Sequence, residues 1–171
     1  QYRLSLLDME SVAAMLAADM AGDSEADTRH KVAEFYRTEL QHTISPDARA
    51  QLDQHRQDGD AIVLLTSATP YVAEPLAAEL SIPHVLCTRL AIENGRFSGR
   101  VMPPACYGSG KVHHAEQFAK AHGIDLAQSS FYTDSYSDLP MLLRVGRPVA
   151  VNPDRRLLRY ARRQGWPTLR W

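Results

Sequence analysis

The stretch Phe131-Tyr132-Thr133-Asp134-Ser135-Tyr136-Ser137-Asp138 holds the residues of this sequence best suited to chemistry. A strand-like run leads into Asp134 and a helix-compatible run follows Asp138. The two carboxylates therefore straddle a strand-to-helix turn. A hard cation such as Mg²⁺ takes oxygen ligands, commonly one or two carboxylates together with substrate phosphate. A helix cap and a turn aspartate account for the same spacing, and both readings stay open on these residues alone. Thr66-Ser67 closes a second apolar run. A hydroxyl there can hydrogen-bond a phosphate oxygen, helped by N–H groups of the following helix; an N-cap uses the same residue types. Lys111, in Gly108-Ser109-Gly110-Lys111, opens a helix, where the macrodipole disfavours a cation unless an anion lies near. The spacing is not that of a P-loop, and a solvated lysine also fits.

These residues need a scaffold, and the hydropathy pattern supplies one. Leu4, Leu7, Val12, Met15 and Leu16 recur at helical spacing until Gly22-Asp23-Ser24 breaks the run. A second helix is expected over 25–41. A third follows Ser45, a suitable N-cap, with Pro46 at its first position. From residue 61 the pattern changes. Short apolar runs at 61–66, 84–87, 130–133 and 148–151 read as buried strands, with helices expected over 70–80, 111–122, 138–145 and 153–164 and a last strand over 168–171. Residues 90–101 read as a hairpin turning at Asn94-Gly95. Alternating strands and helices point to an open parallel α/β sheet, which binds ligands beyond the carboxyl ends of its strands. Thr66-Ser67, Asp134 and Asn152 all stand at such ends.

Composition excludes little but narrows the class. The chain has 171 residues, 44% apolar and 23% charged, with a formal charge of −1. This suits a folded domain and gives no support for a nucleic-acid or membrane-surface partner. No apolar run is long enough to span a membrane, and the first residues do not resemble a secretory signal. Cys87 and Cys106 are too few for a disulfide framework and too far apart for a metal pair, as in a cytoplasmic protein with reduced thiols. The arginines at 155, 156, 159, 162 and 163 read as a solvated helix face. His113-His114 lacks a metal-spaced partner.

A strand-tip Thr66, a helix-start Lys111 and the pair Asp134/Asp138, in that order, resemble the haloacid dehalogenase (HAD) superfamily. The segment Ile92 to Arg100 is similar to the hairpin of its phosphoserine-phosphatase-like branch, and Asn152-Pro153-Asp154 to another family segment. The resemblance runs from about Ser45 to Trp171, and more weakly back to Gln1. It implies a HAD-like Rossmannoid three-layer parallel sheet, with residues 1–44 as part of a helical cap and 45–171 as a core. It further implies phosphate binding by Thr66, Ser67 and Lys111, metal binding by Asp134 and Asp138, and Mg²⁺ as cofactor. Thr66, Lys111 and Asp138 would serve catalysis on a small phosphorylated substrate.

The family's first motif, a strand-tip D-x-D-x-[TV] that carries the nucleophile, has no counterpart here. Asp8-Met9-Glu10-Ser11-Val12 has glutamate in place of the second aspartate, lies in helical surroundings, and is separated from Thr66 by too little chain. The expectation is therefore that the nucleophile and first strand lie upstream of Gln1 and that this chain alone is inactive. In that case the strands ending at Leu65 and Thr133 should not pair directly but stand about two strand spacings apart, roughly 9–10 Å. Ser137 stands where relatives often have Asn. The alternative function is an inactive, regulatory HAD scaffold. A receiver-like phosphotransfer protein would need an acidic cluster after the first strand, which is not seen.

Overall fold

The computed structural model describes residues 2–171, with side chains from residue 11 onward; the side chains of Leu4, Leu7 and Asp8 lie outside the described residues. The elements in chain order are α1 (Tyr2–Asp19), α2 (Glu25–Phe35), α3 (Pro46–Gln57), β1 (Val63–Leu65), α4 (Pro70–Glu79), β2 (His84–Leu86), β3 (Leu90–Glu93), β4 (Arg96–Val101), α5 (Ser109–His122), β5 (Ser130–Thr133), α6 (Leu139–Leu142), β6 (Arg147–Val151), α7 (Arg155–Gln164) and β7 (Thr168–Leu169). The chain divides into two compact units, Gln1–Ile44 with Arg49–Cys106, and Ser45–Ala48 with Tyr107–Trp171.

In the first unit, β1 and β2 pair in parallel, Leu64 opposite Val85. β3 and β4 form the expected hairpin, with Asn94 at φ 49° and Gly95 at φ 75°. Two successive positive φ values match the right-handed twist of the strands, which is why Asn-Gly suits this turn. The connection between α1 and α2 is bonded to that hairpin. Gly22 N–H donates to Phe97 O (2.8 Å), Phe97 N–H to Asp23 O (3.0 Å) and Glu25 N–H to Gly95 O (2.9 Å). Gly99 (φ 82°) lies under α1, and a Cβ added there would meet Ala21 Cβ at 3.0 Å. Small residues thus set the close approach of α1. Ala17 is buried, whereas Met15 and Leu16, grouped by the helical spacing, are exposed.

α2 ends earlier than the sequence suggests. A π-turn over Tyr36–Leu40 and a 3₁₀ turn over Gln41–Thr43 replace its last part. Thr38 Oγ1 donates back to Glu34 O (3.2 Å), the kind of local bond that loosens a helix. Tyr36 is buried and its hydroxyl donates to Glu79 (2.6 Å), which also receives Arg49. Burial, and then that bond, push the Tyr36 phenol up to about 12. The same tyrosine bond, followed by Arg49, holds the Glu79 carboxyl below the usual carboxylate range.

In the second unit, β5, β6 and β7 form a parallel sheet in that order, with Thr133 opposite Ala150 and Val151 opposite Leu169. Its core is Leu142, Ala150, Leu157 and Ala161, with Phe131, Tyr136 and Trp166 packed against them. Trp171 stacks on Tyr132. The expected last strand shortens to two residues, and the helix expected over 138–145 becomes a 3₁₀ turn, Tyr136–Asp138, followed by the single turn α6. Parallel pairing is thus realised in two sets. Among the described residues β1 pairs only with β2 and β5 only with β6, so the strands ending at Leu65 and Thr133 are not direct partners. No helix of the described residues is long and apolar enough to cross a membrane.

Candidate active site

The carboxyl end of β5 carries a buried charge pair. Lys111 Nζ donates to Asp138 Oδ2 at 2.6 Å, and Thr133 Oγ1 donates to the same oxygen at 2.7 Å. The lysine and aspartate side chains are 9% and 5% exposed, so neither charge is relieved by bulk water. Such burial is tolerated only when charges are paired and hydrogen-bonded. Three elements make this possible. α5 begins at Ser109, which puts Lys111 in its first turn, with the Phe131 ring 5.9 Å from its ammonium. β5 delivers Thr133. The 3₁₀ turn delivers Asp138, whose N–H donates to Ser135 O (3.1 Å). Asp138 occupies the N-cap position of α6 but makes no side-chain cap bond. Capping therefore does not account for its carboxylate.

Asp134 follows β5 directly and is exposed. Its carboxylate has no hydrogen bond or ion pair among the described residues. Its backbone, by contrast, is held, since Asp154 N–H donates to Asp134 O at 2.8 Å. Asp154 also ties the loop to α7. One carboxylate oxygen caps Arg156 and Leu157 N–H (2.8 and 2.9 Å), and the other accepts Tyr136 N–H at 2.6 Å. Within the loop, Ser135 Oγ accepts Ser137 N–H (3.2 Å), and the two hydroxyls lie 2.7 Å apart. Ser137 thus takes part in a local brace. Sequence reasoning missed Thr133 and the role of Asp154. The Asn152-Pro153-Asp154 segment stands out in the sequence, but its bonds to the acid loop depend on β5 and β6 being neighbours.

Thr66 and Ser67 stand at the carboxyl end of β1 in the other unit. Thr66 N–H donates to Leu86 O (2.9 Å), and Thr66 Oγ1 accepts Ala68 N–H (3.2 Å). Its hydroxyl proton has no acceptor among the described residues. The N-cap position of α4 belongs to Thr69, followed by Pro70. Thr66 is therefore not that helix's cap residue. Ser67 is exposed. Cys87 and Cys106 are buried and not joined in a disulfide, and burial pushes the Cys87 thiol up, away from a nucleophilic role.

The donor set can be tested against a metal. Among the described residues no three His, Cys, Asp or Glu side chains cluster as a cage. What β5 offers is one free carboxylate, Asp134, beside a charge-compensated one, Asp138. That fits Mg²⁺, which keeps several waters and takes one or two carboxylates, and does not fit a thiolate or imidazole metal.

Known proteins resemble this chain along most of its length. The model of the haloacid dehalogenase-like hydrolase family matches residues 1–143. An "inhibition of morphological differentiation protein" of Streptomyces azureus is 35% identical over 162 residues, covering 94% of this chain and 58% of that protein. A phosphoserine phosphatase of Mycobacterium tuberculosis is 39% identical over 121 residues, covering 70% of this chain and 39% of that protein. The chain thus spans about half the length of these curated relatives. A solved structure from Bordetella pertussis Tohama I, of a protein with unknown function, superposes with a TM-score of 0.87 at 29% identity, covering 94% of this chain and 73% of that one. The parallel strands, the acid loop and the family match together show that this chain belongs to the haloacid dehalogenase-like hydrolases.

Proposed function

We propose that this chain is part of a Mg²⁺-dependent phosphomonoester hydrolase that acts on a small phosphorylated metabolite through an aspartyl-phosphate. The observation that carries the reading is the buried Lys111–Asp138–Thr133 cluster beside the free carboxylate of Asp134. The cluster holds a cation permanently at a strand tip, where phosphate and carboxylates bring negative charge. Asp138 acts as a positioning residue, since its Oδ2 is already shared by two donors; it fixes the Lys111 ammonium. Asp134 is the carboxylate available to Mg²⁺, and the ion when bound would neutralise phosphate charge. Thr66 donates its free hydroxyl proton, and Ser67 a backbone N–H, to a phosphate oxygen. Residues 1–44 form part of a helical cap, and 45–171 the core.

The nucleophile in this reading is an aspartate outside these 171 residues, on a strand that β1 and β5 do not themselves provide. Two facts support it: among the described residues each of those strands has a single strand partner, and the chain spans about half of its curated relatives. The aspartate attacks phosphorus, the alkoxide leaves with a proton from a second acid, and water then cleaves the acyl phosphate.

The test is hydrolysis of p-nitrophenyl phosphate with Mg²⁺ or with EDTA, by the whole gene product and by residues 1–171. Turnover by the whole protein alone, lost with EDTA and lowered at least about 100-fold by Asp134→Asn, is expected. Equal activity of the two forms would refute the external nucleophile. A whole protein without activity would favour the inactive scaffold.

A further inference from the structure

Beyond the acid loop, the second unit has a cleft of about 390 Å³ lined by Asn152, Leu158, Arg162, Thr168, Leu169 and Arg170, among others. Its lining runs from Asn152, just past β6, and Leu158 and Arg162 of α7 to the two residues of β7 and Arg170 beyond it. Two arginines, Arg162 from α7 and Arg170 beyond β7, line it from different elements. Neither forms an ion pair or hydrogen bond among the described residues, and no acidic residue lines the cleft. The other arginines nearby are placed differently. Arg156 lies over the Tyr136 ring at 4.5 Å, and Arg147 donates to Gln128 O. Arg155 and Arg159 share the side of α7 that carries Arg162, by helical spacing, and α7 holds five arginines and no acid.

The remaining lining suits a small molecule. Leu158 and Leu169 provide an apolar wall, while Asn152 and Thr168 bring polar groups. Asn152 is itself fixed. At φ 43° it donates to Trp171 O and accepts Trp171 N–H, both at 3.1 Å, so the loop that shapes the cleft is braced across β6 and β7. A braced, concave site lined by two unpaired arginines and no acid matches what a planar or tetrahedral oxyanion requires.

We propose that this cleft is a second anion site, separate from the acid loop, which binds the phosphate group of a small soluble molecule through Arg162 and Arg170. It does not depend on the phosphatase reading, because none of its lining residues belongs to the Lys111–Asp138 cluster.

The experiment is an amide NMR titration of residues 1–171 with inorganic phosphate, at constant ionic strength set by chloride and without Mg²⁺. Amides of Asn152, Thr168, Leu169 and Arg170 are expected to shift together and saturate. Arg162→Gln and Arg170→Gln should each weaken this binding by about five-fold or more, because a fork is lost. Arg170→Lys should restore it only in part. Both arginines are exposed, so the variants should retain the native tryptophan emission, and Asp134→Asn should leave the cleft's affinity unchanged. Shifts confined to residues around Lys111 and Asp134 would overturn the proposal. So would affinity unaltered by both glutamine variants, or equal shifts with chloride alone. Sedimentation with phosphatidylglycerol vesicles without any response to free phosphate would overturn it too, pointing to a membrane surface.

Discussion

Replacing Lys111 by Met tests the buried cluster directly. The substitution keeps most of the side-chain volume but leaves Asp138 buried with Thr133 as its one remaining side-chain donor among the described residues. At 2.6 Å and an effective dielectric of 20, the gross attraction between the two charges is about 6 kcal/mol. Desolvation of both ions offsets much of that in the intact protein. Once the lysine is gone, however, the desolvation of Asp138 is no longer compensated, and breaking such a buried pair costs about 3–5 kcal/mol. Asp138→Leu, which strands the lysine instead, should cost a similar amount. The double variant Lys111→Met/Asp138→Leu removes both charges, so its loss should fall well short of the sum, by about 2 kcal/mol or more. The assay is urea unfolding followed by tryptophan fluorescence. Both tryptophans of the chain, Trp166 and Trp171, lie in the second unit, so the signal reports the unit that holds the cluster. A Lys111→Met protein within about 0.5 kcal/mol of the parent, or single losses that simply add, would show that the pair is not a coupled tertiary contact.

Gly146→Ala should destabilise the same unit by about 3 kcal/mol, read by the same fluorescence transition, because a Cβ would sit 1.7 Å from the carbonyl oxygen of Ala127. Asp154→Ala removes the acceptor of three backbone N–H groups. A loss of about 2 kcal/mol is expected, and faster amide exchange at Tyr136, Arg156 and Leu157 should accompany it. In the first unit, the Glu79 carboxyl is held below its ordinary range by Tyr36 and Arg49. The folded form therefore binds its proton less readily than the unfolded chain. This contribution is complete above the usual carboxylate range and is lost as pH falls through the lowered value. Thermal unfolding from pH 7 to pH 3 should show a steeper acid loss in the parent than in Glu79→Gln. Tyr36 gives the opposite sign, since its raised phenol favours the fold below pH about 10 and ceases to do so as pH rises through about 12.

Much of this architecture is legible from local pattern. The Asn94-Gly95 turn, the Pro46 helix start, the stop at Gly123 and the strand at 130–133 follow from backbone preferences that act over a few residues. The same holds for the residue types at the site: a strand end, two acids four apart and a lysine at a helix start are all properties of short windows. Helix ends under tertiary control were less readable. The π-turn after Phe35 accompanies a buried Tyr36 bonded to Glu79, forty-three residues away. Met15 and Leu16 have helical spacing, yet the close packing at the end of α1 is set by Ala18, and by Ala21 in the turn just beyond, against Gly99.

The amino-acid sequence by itself determined the chemistry available to this protein, because carboxylate, ammonium and hydroxyl groups and their placement at element ends are written in order along the chain. Tertiary structure alone decided how the two acids differ. Asp138 is drawn inward because α5 brings Lys111 to its oxygen and β5 brings Thr133, whereas Asp134 is left facing water with its carboxylate free. No spacing rule separates two aspartates four residues apart. Their environments diverge only when a distant helix supplies the opposite charge and the sheet excludes solvent from one of them and not the other.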